Sequence, residues 1–183
     1  MNRSATSRQE IVKAGLELVA SHGWKAVGIR DLAGKLGVAS GTIYHYFPSK
    51  DALSAALVEE VWKEVFRHEG APFDDTVACL EWAFSRIEWA RKEHPGFISL
   101  HSSLFLEDRK EEGRELMHRT WEHMKSGLCV VMEKDARIRA QAFDGDLGME
   151  DYADIMLSLI LAQTLRPSMG MHAIRALVER TLY

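Results

Sequence analysis

Apolar residues recur along this chain at three- and four-residue intervals and nowhere in the strict alternation of a half-buried strand, so every long segment reads as helix. The pattern predicts an all-α protein of about nine helices. Ser7 and Glu10 form a Ser-x-x-Glu capping box that opens the first, with Ile11, Gly15, Leu18 and Val19 on one face until Gly23 ends it. The second, over about 29–36, turns Ile29, Leu32, Ala33 and Leu36 inward, and Gly37 supplies the left-handed residue that closes it. The third runs over about 40–47 and stops at Pro48, because a proline disfavours helical geometry in the residue before it.

Ser49 is placed to cap a fourth helix, about 50–67, in which Leu53, Leu57, Val61 and Val65 recur at fourfold spacing. Beyond Gly70-Ala71-Pro72 a fifth helix is expected over about 74–93, and His94-Pro95 breaks it from a shorter sixth, about 96–106. A charged turn, 107–113, precedes a seventh at about 114–136, with Met117, Trp121, Met124, Leu128 and Val131 along one side. A loop at 144–148 leads to an eighth helix, about 150–165, apolar on most of its circumference. Pro167 separates it from a ninth carrying Met171, Ile174, Leu177 and Val178.

Packing alone does not explain the third helix. Val38, Ile43 and Phe47 give it one narrow apolar seam, while Ser40, Thr42, Tyr44, His45 and Tyr46 carry too many hydrogen-bonding tips to bury together. Charge points the same way. Residues 1–50 hold seven Lys/Arg against three acids, a net +4, whereas residues 51–183 hold sixteen against twenty-four, a net −8. A basic head on an acidic body suits a protein that sets one end on a polyanion.

The remaining composition narrows the classes. Only four prolines and no low-complexity run predict a chain compact almost throughout. No apolar run reaches the roughly 18 residues that span a bilayer, and the opening Met1-Asn2-Arg3-Ser4 has no hydrophobic signal core behind it, so a soluble cytoplasmic protein is expected. Cys79 and Cys129 lie far apart inside helical patterns and read as reduced, largely buried thiols. Glu115-x-x-His118 is the one carboxylate–histidine pair at metal-ligand spacing, but a di-iron bundle needs a second copy and two further Glu. Neither a Ser/His/Asp signature, a phosphate-binding Gly loop nor a paired-cysteine zinc site is present, so no enzyme, metal or cofactor is expected.

The first fifty-odd residues resemble the DNA-binding domain of the TetR/AcrR family of transcriptional regulators. The resemblance rests on the capped first helix, the His22-Gly23-Trp24 turn, Ile29-Arg30-Asp31-Leu32-Ala33, and Gly37-Val38 through Thr42-Ile43-Tyr44-His45-Tyr46-Phe47-Pro48-Ser49-Lys50. It implies a helix-turn-helix domain over 1–50 and a helical ligand-binding and dimerisation domain over 51–183. By the same resemblance the third helix enters the major groove, with Ser40, Gly41 and Thr42 near base edges or phosphates and Tyr44, His45 and Tyr46 reaching backbone or bases. Arg30 reads guanine or clamps a phosphate, and Lys50 offers a point charge to phosphate. Plain readings stand beside these: the Tyr44 and Tyr46 rings packed into the head's core, Arg30 paired with Asp31, Lys50 merely solvated. Two positions depart from the family pattern. Ala39 stands where a Ser-like cap of the third helix is usual, and Gly28 where a Thr often caps the second; glycine caps almost as well as a hydroxyl residue, alanine does not. Either the third helix frays more easily or Ser40 caps it one residue later.

The resemblance places an effector cavity among the fourth to seventh helices, which carry Trp62, Phe66, Trp82, Phe84, Trp89, Phe105, Met117, Trp121 and Met124. The expected lining is Trp62, Phe66, Trp89, Phe105, Met117, Trp121 and Met124, implying a large apolar or aromatic effector; the same residues at helical spacing also suit an ordinary core. The apolar eighth and ninth helices imply a homodimer through a four-helix interface. The expected function is a ligand-responsive regulator, a repressor released from a two-fold symmetric double-stranded DNA operator. The alternative is a helical-bundle enzyme or small-molecule binding protein whose basic head no longer binds DNA.

Overall fold

The computed structural model describes residues 6–24, 27–67, 70–98, 111–165 and 170–183, with the backbone alone for 111–114, 116–117 and 163–165. These residues form eight α-helices and, among them, no strand: α1 Arg8–His22, α2 Ile29–Leu36, α3 Ser40–Tyr46, α4 Lys50–Val65, α5 Thr76–Glu93, α6 Glu111–Lys134, α7 Met149–Leu165 and α8 Met171–Leu182. The sixth expected helix lies almost wholly outside the described residues. The expected seventh, eighth and ninth are α6, α7 and α8. Glu111 to Gly113, expected in a turn, are helical and belong to α6.

The contacts divide the chain into two compact units, one of residues 1–64 and 90–117, the other of 65–89 and 118–183. In the first, a single core joins Ile11, Val12, Ala14 and Val19 of α1, Ile29, Leu32 and Ala33 of α2, Ile43 of α3 and Leu53, Ala56 and Leu57 of α4, with Phe47 between. The local devices match the sequence reading. Glu10 N–H donates to Ser7 Oγ while Ser7 N–H donates to Glu10 Oε2, closing the capping box. Gly37 ends α2 in the left-handed region at φ +65°. Gly15 lets α1 and α4 approach, since a Cβ there would stand 2.7 Å from Leu57 Cδ2.

In the second unit Val77, Leu80, Phe84 and Ile87 of α5, Leu128, Val131 and Met132 of α6, Tyr152, Met156 and Ile160 of α7 and Ile174, Val178 and Leu182 of α8 are buried. Buried Asp135, just past α6, gathers five donors. Thr76 N–H at the start of α5 donates to Oδ2 at 2.8 Å, Tyr183 Oη to Oδ2 at 2.6 Å, and Arg137 reaches both oxygens through Nε and Nη2 at 2.9 Å each and Oδ1 through its backbone N–H at 3.2 Å. Burial alone would raise this carboxyl's pKa, but the five donors hold it well below the usual range. Both cysteines are free and half-buried, and burial pushes the Cys79 thiol up to about 11. Among the described residues no helix is long and apolar enough to cross a membrane.

Candidate nucleic-acid interface

Three short elements set the interface. α2 carries Arg30 in its first turn, α3 follows after Gly37-Val38-Ala39, and α4 starts at Lys50 only three residues beyond Tyr46. Ile43 and Phe47 anchor α3 to the core at 0% and 2% exposure, so the opposite side of this seven-residue helix faces outward. On that side Tyr44 is 51% exposed, and Gly41 and His45 are exposed beside half-buried Ser40 and Thr42. Arg30 and Lys50 are exposed too, and neither makes a salt bridge among the described residues. Arg30 does not pair with Asp31, and Tyr44 does not enter the core. The structure therefore brings Arg30, Gly41, Tyr44, His45 and Lys50 to the surface of one small unit, where cation and phenol tips are free to meet an anion.

Tyr46 differs from its neighbours. Its ring is half-buried at the edge of the core, and its hydroxyl donates to the Thr6 carbonyl at 2.7 Å, tying α3 to the residues before α1. The His45 ring meets it edge-on, with centroids 5.2 Å apart. Arg8 adds a guanidinium 5.1 Å from the centroid of Phe47, a contact the sequence reading did not foresee. Arg8 and Thr6 carry no local signal of this role, because their partners lie at the far end of the head.

The start of α3 settles the question raised by Ala39. Ala39 itself is the N-cap, in extended geometry with no side-chain cap bond, and the helix begins at Ser40. Thr42 N–H donates to the Ala39 carbonyl at 2.9 Å, a tight first turn in place of a side-chain cap. Gly28 likewise caps α2 without a side-chain bond, and Asp31 Oδ2 sits 2.7 Å from where its Cβ would be. Ser49 does cap α4: Ala52 N–H donates to its Oγ at 2.9 Å. Lys35 and Glu17 pair at 2.9 Å between α2 and α1, and the ammonium holds the Glu17 carboxyl below its usual range.

The core-enclosing stretch is also what known proteins share. Residues 11–57 match the family profile of bacterial regulatory proteins, tetR family. The head is therefore a helix-turn-helix domain of the tetR-family type. One relative, the HTH-type transcriptional repressor KstR2 of Mycolicibacterium smegmatis, is 30% identical over 87 residues, which cover 48% of this chain and 34% of that protein. The chain thus spans about a third of the length of that relative. Among solved structures, a transcriptional regulator from Rhodococcus sp. Rha1 superposes with a TM-score of 0.67 at 18% identity, covering 96% of each chain. BioQ bound to its natural double-stranded DNA operator does so with a TM-score of 0.61 at 17% identity, covering 88% of this chain and 87% of that one. At such identities the likeness shows the fold. The family consists of regulators rather than enzymes.

The expected effector lining does not assemble as one set within a unit. Trp62 is buried in the first unit, edge-on to Phe97 with centroids 5.1 Å apart. Phe66, Trp89, Trp121 and Met124 belong to the second and are half-buried there. Phe105 and the side chain of Met117 lie outside the described residues. A polar group stands among the aromatics of the second unit: Arg86 stacks 4.2 Å over the Trp89 ring and donates Nε–H to the carbonyl of Val65, the last residue of α4, at 2.7 Å. A cation at a helix C-terminus is favoured there by the unpaired carbonyls.

Proposed function

We propose that this protein is a homodimeric, ligand-responsive repressor that reads a two-fold symmetric operator with residues 1–50 and senses a small, largely apolar or aromatic effector with residues 51–183, acting in the cytoplasm. The observation that carries the reading is the exposed row on α3, flanked by Arg30 and Lys50, above a core that seats it in a head of net +4. Gly41 admits close approach of the backbone, Ser40 and Thr42 stand near base edges or phosphates, Tyr44 and His45 reach bases or backbone, and Arg30 and Lys50 meet guanine or phosphate. Tyr46 supports this row by holding α3 to Thr6.

The dimer is supported by apolar side chains that α7 and α8 leave outward, Ile155 at 45% and Leu177 at 43% exposure. Two copies of this helix pair make a four-helix interface that spaces the recognition helices about one DNA turn apart. An effector bound among Phe66, Trp89, Trp121 and Met124 of the second unit changes that spacing through α4, whose last residue belongs to that unit.

The test is duplex binding across a salt series, using a duplex that the full-length protein enriches from a randomised pool. Affinity falls steeply with salt for the native chain, and replacing Arg30 and Lys50 together with Ala lowers the log–log slope by about 2 per protomer if both meet phosphate. An unchanged affinity removes both residues from the interface.

A further inference from the structure

The turn that ends α5 packs inside the same unit as the N-terminal helices, far from them in sequence. Gly96 holds φ at +85°, which strains any residue with a side chain, and a Cβ there would stand 3.1 Å from Trp24 Cδ1. Phe97, fully buried, lies tilted against Trp24 with centroids 6.2 Å apart and edge-on to Trp62. Phe97 N–H donates to the His94 carbonyl at 3.0 Å, and His94 Nε2 lies 3.3 Å from Glu64 Oε2. The turn is thus held by Trp24 on one side and by Trp62 and Glu64 of α4 on the other. Trp24 in turn packs against the core that seats Ile43 of α3.

Both the backbone conformation and the nearby indole therefore favour glycine at position 96. Close-packed contacts such as those of Phe97 with Trp24 and Trp62 transmit displacement more than they absorb it. α5 runs from the second unit into the first at Ala90, whereas α4 leaves the first after Glu64. A movement of α5 therefore has its own route to the reading helix, through Gly96-Phe97, Trp24 and the head core. We propose that the Gly96-Phe97 turn is a positioning joint that sets where α3 stands, so that the separation of the two reading helices in a dimer depends on it. The proposal rests on the DNA-reading dimer described above.

The test fixes the half-sites of the enriched duplex and varies the base pairs between them, with the full-length protein throughout. Gly96→Ala shifts the preferred spacing by about one base pair or more and weakens binding at the native spacing roughly fivefold or more. Adding Trp24→Leu, which removes the obstructing ring, moves the preference back toward native. Should Gly96→Ala fail to melt cooperatively, Phe97→Leu, close in volume, must show the shift. Equal loss at every spacing, with the preference unchanged, assigns the turn to stability alone and overturns the joint. A native chain that enriches no duplex overturns the DNA reading itself, and the joint with it.

Discussion

Tyr44 and Tyr46 stand two positions apart on one short helix and meet different fates. Tyr44 projects into solvent, whereas Tyr46 lays its ring on the core and gives its hydroxyl to Thr6. Tyr46→Phe is expected to lower unfolding free energy by about 1 kcal/mol, the worth of a part-buried hydrogen bond, read as a shift in the denaturant midpoint. Tyr44→Ala is expected to leave that midpoint in place and weaken duplex binding in a fluorescence-anisotropy titration. The sequence alone leaves both tyrosines balanced between core and surface, because at about 100° per residue they flank the Ile43–Phe47 seam at about equal angles on its two sides. What separates them is a backbone carbonyl forty positions away, which no local pattern encodes.

At the scale of the helix, most boundaries were legible because their causes are local. The Ser7–Glu10 box, Gly37, Pro48 and Ser49 each act within four residues; α1 and α4 begin, and α2 and α3 end, within about a residue of where those signals put them. The Asp135 cluster was not legible, since its donors come from the start of α5 and from Tyr183 at the end of the chain. Its titration has a definite sign. A carboxyl whose native pKa lies below its unfolded one adds stability that is complete above the unfolded value, about 4, and is lost as pH falls toward the native one. Urea midpoints measured from pH 6 downward should therefore drop below about pH 4. Asp135→Asn, which removes the charge, should lower the unfolding free energy at pH 7 by about 2 kcal/mol, read from the urea midpoint and slope, and flatten the acid-side dependence.

At the scale of the molecule, the head was legible from its residues and the body was ambiguous. Residues 1–50 combine charge, turn chemistry and an exposed polar helix that core packing cannot explain, so independent signals agree there. In the body, aromatic and Met residues at helical spacing serve a core and a cavity equally well, and periodicity has no means of separating the two. The outward Ile155 and Leu177 are more decisive, since a lone protomer leaves both in water. Ile155→Glu with Leu177→Glu is expected to turn a dimer into a monomer by analytical ultracentrifugation. Operator affinity then falls by about a hundredfold as the two half-sites lose their tether.

The three-residue connection from α3 to α4 bears on how such a chain can change over time. Phe47 in this connection is buried in the same core as Leu53 and Leu57 of α4, so one residue inserted between Tyr46 and Lys50 must either bulge the connection outward or shift Phe47 against α4. Substitutions can retune which bases the head reads. Insertions and deletions at this junction should therefore cost far more than substitutions on the outward side of α3.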